Sequence, residues 1–301
     1  MAVLKLYPNG LTGGVPPRLV NHAPAPRGDC SGWSPSSSRS NTRFLYSVRS
    51  ADLPVGSDGT LKLLGLALSL TLRDCPPSHQ DWKNLREAFF LRLRRCGLYR
   101  LHWLTEWQKR GVPHLHAAAW FDVVAVETWM LKHHPDLSVT AFPVVLQGDW
   151  LELTAPYRSS ASAQNVKPIT NDLGWLQYLA KHAARGAAHY QRAFSTMPKG
   201  WQKTGRMWGH LGDFPVSEPL GLELDRPAWF QFRRIVRAWR ISLARSDRKV
   251  SGRRISLARK MLQCSDRFLS EVRGVSEWIP LHLGLFFISG LASAGYSMES
   301  I

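Results

Sequence analysis

From Leu64 to Leu72 the chain places leucine at every second position, with Gly65, Ala67, Ser69 and Thr71 between. A period of two is that of a β-strand, so Leu64, Leu66, Leu68, Leu70 and Leu72 share one face and the small or polar residues share the other. The leucine face requires a core layer over it. The opposite face lacks bulk, which leaves solvent, a covering helix or a functional site as its use.

The neighbouring segments supply partners for such a strand. Pro76-Pro77 ends it, and Trp82, Leu85, Phe89, Leu93 and Cys96 then recur at helical spacing over residues 79–96, with Gly97 as a stop. Residues 98–107 and 113–121 read as two strands joined by a Lys109-Arg110-Gly111 turn. Residues 123–134 read as a second helix, stopped by Pro135. Residues 139–146 and 150–154 read as two further strands around Gln147-Gly148-Asp149. Asn171 could cap a helix running to Arg185, ended by Gly186. This order predicts an α+β domain with a largely antiparallel sheet.

The flanks differ in composition. Residues 1–60 are rich in Pro, Gly and Ser, and Pro16-Pro17, Pro24-Ala25-Pro26 and Ser34-Pro35-Ser36 argue for a flexible arm without helix or central strand. Residues 226–260 carry twelve Arg or Lys against one acid, Asp247, and repeat Arg-Ile-Ser-Leu-Ala-Arg at 240–245 and 254–259. Helix is expected on both sides of Ser251-Gly252. The aromatics Trp229, Phe230, Phe232 and Trp239 could stack on unpaired bases among the cations, or could be core beneath an ordinary solvated face. Residues 274–301 are an apolar tail, expected to be a packed or loose end rather than a membrane helix.

Over the whole 301-residue chain, 39 Lys and Arg against 22 Asp and Glu give a formal charge of +17. That excess favours a polyanionic partner, nucleic acid ahead of an acidic membrane surface. The hydrophobic share of 44% is an ordinary globular one rather than that of a disordered chain. Cys30, Cys75, Cys96 and Cys264 form no CxxC pair, which excludes a zinc ribbon and argues for a reducing, cytoplasmic compartment. The opening residues are too short and too broken by Pro8 and Gly10 for a signal peptide.

Two constellations could carry chemistry. His114 and His116 lie two apart on a strand, so both imidazoles point one way and Leu115 the other. A strand pairing centred near Arg110 puts Glu106 opposite His114 on the same face. Two histidines and a carboxylate suit a divalent ion such as Mg²⁺ or Mn²⁺. The alternatives are a pair of half-exposed strand histidines and a surface glutamate beside Lys109 and Arg110. The second constellation is Tyr178-Leu179-Ala180-Lys181. On a helix, Tyr178, Lys181, His182 and Arg185 form one polar strip that could bind phosphate, and positive neighbours favour a phenolate. Alternatively Tyr178 is an ordinary tyrosine at a helix edge.

Taken in order, these motifs resemble the HUH endonucleases, and specifically the single-tyrosine rolling-circle replication initiators of filamentous phages and small plasmids. Leu68-Ser69-Leu70-Thr71-Leu72 is similar to the family's first-strand motif, His114-Leu115-His116 to its histidine motif with Glu106 at the upstream carboxylate position, and Tyr178-Leu179-Ala180-Lys181 to its nucleophile motif. Lys109-Arg110-Gly111-Val112-Pro113 and Gly205-Arg206-Met207-Trp208-Gly209 resemble the flanks of such initiators. His182 occupies the slot where some relatives carry a second tyrosine. The tyrosine follows the histidine motif, unlike the usual order in conjugative relaxases.

The resemblance implies a ferredoxin-like (RRM-like) HUH domain over residues 61–215, its central antiparallel sheet flanked by helices. A basic helical extension over 216–273 follows. It implies Glu106, His114 and His116 as metal ligands for Mg²⁺ or Mn²⁺, Tyr178 as nucleophile and Lys181 as its aid. The substrate would be a single-stranded, hairpin or supercoiled DNA origin. Arg185, Arg206, Arg233, Arg234, Arg237, Arg240, Arg253 and Arg254 are the DNA-binding candidates. No GxxxxGK[ST] loop occurs, so a host helicase and DNA polymerase are the expected partners. The competing readings are a single-tyrosine transposase and a non-catalytic nucleic-acid-binding protein.

Overall fold

A computed structural model of the chain describes residues 1–15, 32–49, 63–169, 191–192, 195, 197–246, 252–260 and 274–301. The expected helix over 171–185 lies outside them. The described elements run β1 (Ala2–Leu6), β2 (Leu11–Gly14), α1 (Pro35–Ser47), β3 (Leu63–Thr71), α2 (His79–Arg95), β4 (Leu98–Trp107), β5 (Pro113–Asp122), α3 (Val123–His133), α4 (Phe142–Leu153), β6 (Asn165–Pro168), β7 (Trp208–Leu211), β8 (Leu220–Leu224), α5 (Arg226–Ser246), α6 (Gly252–Lys260), β9 (Val275–Glu277), α7 (Leu281–Ser293) and β10 (Met298–Ser300). The fold is α+β, with two five-stranded antiparallel sheets. The chain divides into a larger unit, Pro26–Leu45 with Arg49–Pro215, and a smaller one, Met1–Ala25 with Tyr46–Val48 and Val216–Ile301.

The larger unit is built on a sheet of order β6-β3-β5-β4-β7. The alternating leucines of β3 do what their period requires: Leu66, Leu68 and Leu70 are buried, paired across the ladder with Ala119, Ala117 and Leu115. Helix α2 covers this face. It starts on a capping box in which Ser78 and Asp81 satisfy each other's backbone donors, and it ends at Gly97, whose φ of +87° suits glycine. Its Trp82 donates to Thr105 Oγ1 at 3.2 Å, and its Arg86 guanidinium lies 3.9 Å from the centre of the Trp103 ring. Helix α4 joins it there, with the Trp150 ring edge-on to Phe89 at 5.2 Å.

Three expectations are corrected here. Residues 139–146 and 150–154 are not strands but a short 3₁₀ turn and helix α4. Its apolar residues fit either period, and Phe142, Leu146 and Trp150, four apart, bury one helical side. The first 60 residues are not an arm without helix or strand. Ser34-Pro35, expected to disfavour a helix, starts one: the Ser34 hydroxyl accepts from Ser37 N at 3.0 Å and Pro35 takes the first helical position. The expected domain limits at 60/61 and 273/274 also differ from the two units, because β1 and β2 pair with strands from the far end of the chain.

That pairing makes the smaller unit, a sheet of order β10-β8-β1-β2-β9. Its core joins Leu4 and Leu6 of β1, Leu222 and Leu224 of β8, Trp229, Phe232 and Val236 of α5, and Phe287 and Leu291 of α7. The apolar tail is therefore core material. No helix among the described residues is long and apolar enough to cross a membrane.

The φ of Gly97 and its position, where an added Cβ would stand 2.6 Å from the Ala125 methyl, make it a sensitive point of the larger unit. Gly97→Ala should lower the unfolding free energy by about 2 kcal/mol, from left-handed backbone cost plus displacement of α3. Chemical denaturation followed by tryptophan fluorescence checks this.

Candidate metal centre

The β4–β5 hairpin fixes the site. Gln108 N donates to Val112 O at 2.8 Å and Gly111 N to Gln108 O at 2.9 Å, closing a turn in which Gly111 adopts φ +78°. This turn sets the register Glu106↔His114 and Leu104↔His116. On the other side of β5, Ser69 pairs with His116 and Thr71 with His114. Residues directly opposite in a sheet share a face. Glu106, His114, His116, Ser69 and Thr71 therefore all lie on the face away from the alternating leucines of β3, where β3 itself presents only small or polar residues.

Candidate ligand atoms of Glu106, His114 and His116 lie within 4.8 Å of one another. Glu106 and His116 are buried and His114 is half-buried. The two imidazoles meet edge to face, 4.3 Å between ring centres. His116 Nδ1 lies 2.9 Å from Ser69 Oγ, which turns Nε2 toward Glu106 Oε2 at 3.8 Å. A hydroxyl on one ring nitrogen fixes the orientation of the other, as is usual around metal-binding histidines. The donor set of two imidazole nitrogens and one carboxylate, inward-facing and close, fits a divalent ion with positions left for further oxygens.

The rest of the centre comes from residues that the sequence does not single out. Arg192 is fully buried and donates from Nε to Glu106 Oε1 at 3.0 Å. Its Nη1 reaches Ser38 Oγ at 3.3 Å and its guanidinium lies 3.9 Å from the centre of the Trp33 ring. Trp33 in turn donates to Thr105 O at 2.8 Å, and Trp107 N donates to Gln191 O at 2.8 Å. Ser69 is visible in the sequence as a polar residue of the unfilled strand face. Trp33 and Ser38 sit in a Pro/Ser stretch with no periodicity to mark them.

Next to the centre, α1 covers the same face. Asn41 Oδ1 lies 2.8 Å from His102 Nε2, and Phe44 stacks on His210 with 4.4 Å between ring centres. Burial first, and then the neighbouring His210, push His102 down to about 3. His210 is lowered too, by burial and by Arg206.

The other expected site residues differ in where they fall. Tyr178, Lys181 and Arg185 lie outside the described residues. Arg206 is exposed on the approach to β7, and Arg234 and Arg253 are exposed on α5 and α6. Arg237 and Arg240 are half-buried, with Arg240 paired to Glu277 at 3.1 Å. Arg233 is buried, its guanidinium 5.6 Å from the centre of the Phe230 ring. Trp229 and Phe232 are core and not base-stacking rings. Arg254 lies on α6, its side chain outside the described set.

The fold and the site thus define an α+β protein with a two-histidine, one-carboxylate centre on an antiparallel sheet. No family model matches the chain and no solved structure matches it. A Xylella fastidiosa (strain 9a5c) protein named as an inferred replication protein is 44% identical over 310 residues, covering 100% of both chains. The replication-associated protein of Pseudomonas phage Pf3 is 43% identical over 302 residues, covering 98% of this chain and 99% of the phage protein. The chain belongs to this family of phage and bacterial replication proteins.

The depressed His102 gives a pH test. The unfolded imidazole takes a proton near pH 6.5 and the folded one only near 3, so its contribution is complete above about pH 6.5 and is lost as pH falls toward 3. Unfolding free energy should drop by up to about 1.4 kcal/mol per pH unit in that window on this account. His102→Gln should flatten the drop in denaturation curves recorded from pH 7 to pH 4.

Proposed function

We propose that the chain is a rolling-circle replication initiator: a metal-dependent nickase and strand transferase acting on single-stranded DNA at an origin. The observation that carries the reading is the convergence of Glu106, His114 and His116 on one sheet face, in a chain whose near-full-length relatives are named for replication. The order of its histidine and tyrosine motifs supports the same conclusion. A bound divalent cation, Mg²⁺ or Mn²⁺, would supply Lewis-acid polarisation of the scissile phosphodiester.

The residues of the chain do the rest. Glu106, His114 and His116 hold the site, with Ser69 orienting His116. The Tyr178 oxygen attacks phosphorus, forming a phosphotyrosine bond as the bond from phosphorus to the 3′ oxygen breaks. The phenol gives up its proton and the departing 3′ oxygen gains one. The products are a 5′-phosphotyrosine and a 3′-hydroxyl that a host polymerase can extend. Lys181 positions the phosphate and favours the phenolate. Attack by an incoming 3′-hydroxyl reverses the step and closes the circle. A host helicase separates the strands. Exposed cations of α5 and α6 add duplex affinity through phosphate contacts.

Tyr178→Phe should lower nicking of a supercoiled origin plasmid by a factor on the order of 10³ or more while leaving DNA binding intact. Mass spectrometry of the trapped adduct should find DNA on Tyr178; DNA on Tyr190 or Tyr157 would overturn the assignment. His114→Ala and His116→Ala should abolish metal-dependent nicking, and Glu106→Ala should weaken it with partial recovery at high Mn²⁺.

Replacing Arg234, Arg245, Arg253 and Arg259 by Gln should weaken duplex binding and reduce its salt slope by about 0.9 for each phosphate no longer neutralised. Cleavage of a single-stranded oligonucleotide should persist. An unchanged salt slope would exclude these residues from the interface.

A further inference from the structure

Glu106 reaches the candidate metal centre with its charge already matched. Arg192 Nε sits 3.0 Å from Glu106 Oε1, and both side chains are fully buried. The guanidinium is held from two further directions, by Ser38 Oγ at 3.3 Å and by the ring of Trp33 at 3.9 Å. It is a built feature of the site rather than a surface cation that happens to be near. The imidazoles of His114 and His116 bind a metal ion as neutral ligands. One carboxylate and one guanidinium then leave this set of side chains with no net charge.

We infer that Arg192 is a positioning residue that offsets the charge of Glu106 at this centre, so that a divalent cation is held less tightly by the free protein and more tightly once DNA phosphate is present. The inference rests on the reading that Glu106, His114 and His116 hold the cation. Arg192 has two effects. It occupies Oε1 and aims Oε2 toward His116, which favours a single-oxygen ligand. It also places a fixed positive charge beside a dicationic ligand in a largely buried site, where charges are weakly screened. The second effect outweighs the first. A buried carboxylate stripped of its cation is strongly driven to acquire another. The negative charge still needed for tight binding is what a phosphodiester carries. The metal is thereby loaded where there is a strand to cut. The clamp also draws on residues 33 and 38, so the N-terminal segment takes part in setting the metal affinity.

The test is Mn²⁺ affinity of the full chain, read from the electron paramagnetic resonance signal of free Mn²⁺. Arg192→Gln should bind Mn²⁺ at least ten-fold more tightly than wild type without DNA, and Arg192→Lys, which keeps the charge, should stay near wild type. A single-stranded oligonucleotide that the chain binds in a gel shift should tighten Mn²⁺ binding by wild type at least ten-fold, and by Arg192→Gln clearly less. Arg192→Gln binding Mn²⁺ equally or more weakly overturns the inference, as does an equal gain from DNA in both proteins.

Should Arg192→Gln fail to fold, the pair of variants Glu106→Gln and Glu106→Gln/Arg192→Gln decides, because the double variant buries no charge at this position. It should bind Mn²⁺ at least ten-fold more tightly than Glu106→Gln alone; no difference overturns the inference. Failure of the underlying reading looks different: wild type with DNA would then bind Mn²⁺ no better than His114→Ala.

Discussion

The register of β4 against β5 is the constraint on which the site depends. With Glu106 opposite His114, the carboxylate and both imidazoles share a face, and Thr105, one residue away, turns to the opposite face and meets Trp82 of α2. A shift by one residue would send Glu106 into the leucine layer and Thr105 into the site. The Gln108–Val112 turn fixes the register locally, and the need to bury Trp103 and Trp107 fixes it globally. Packing on one face thus sets the positions of the chemistry on the other.

The two faces are closed by different means. Leucine, alanine and tryptophan pack under α2 and α4, an ordinary apolar layer. On the site face the cover is polar and aromatic: Ser38, Asn41 and Thr42 of α1 are all buried, and Phe44 stacks on His102 and His210. Buried polar groups are tolerated when hydrogen-bonded and costly when not. The Asn41–His102 and Ser38–Arg192 contacts are therefore what allow α1 to lie there. The buried Glu106–Arg192 pair is of the same kind. Desolvating both ions costs about as much as their attraction returns, so the pair contributes little net stability. Its use lies in where it holds the carboxylate.

What is legible in the sequence is what periodicity reports. The leucine alternation assigns β3 its faces, helical spacing marks α2, and parity across a short turn yields the Glu106–His114 pairing. Helix α4 reads as strand because Val144, Val145 and Leu146 form a short apolar run, equally compatible with either element, and Gly148 looks like a turn. Helix α1 escapes such a reading because its buried side is largely polar, so no apolar stripe marks it, and because Pro35 is a breaker inside a helix but a starter at its first position. Arg192 cannot be found from sequence, since a buried arginine and a solvated one are written with the same letter. The smaller sheet is hidden by distance: β1 finds its partner β8 more than two hundred residues away.

Arg192 also shows how a charge count should be weighed. Among the described residues four arginines are buried, Arg86, Arg100, Arg192 and Arg233, and each lies against an aromatic ring: Trp103, Tyr99 and Phe214, Trp33, and Phe230 respectively. Guanidinium groups stack on ring faces and are less strongly hydrated than ammonium groups, which makes such burial tolerable. Part of the basic, tryptophan-rich composition is thus interior structure and says nothing about a polyanion. The argument from charge survives only for cations at the surface. On α5 the division runs along the helix, with Trp229, Phe232 and Val236 toward its sheet and Arg226, Arg234 and Arg245 exposed. The side of α5 turned away from its own core is therefore the one on which a phosphate backbone can be met.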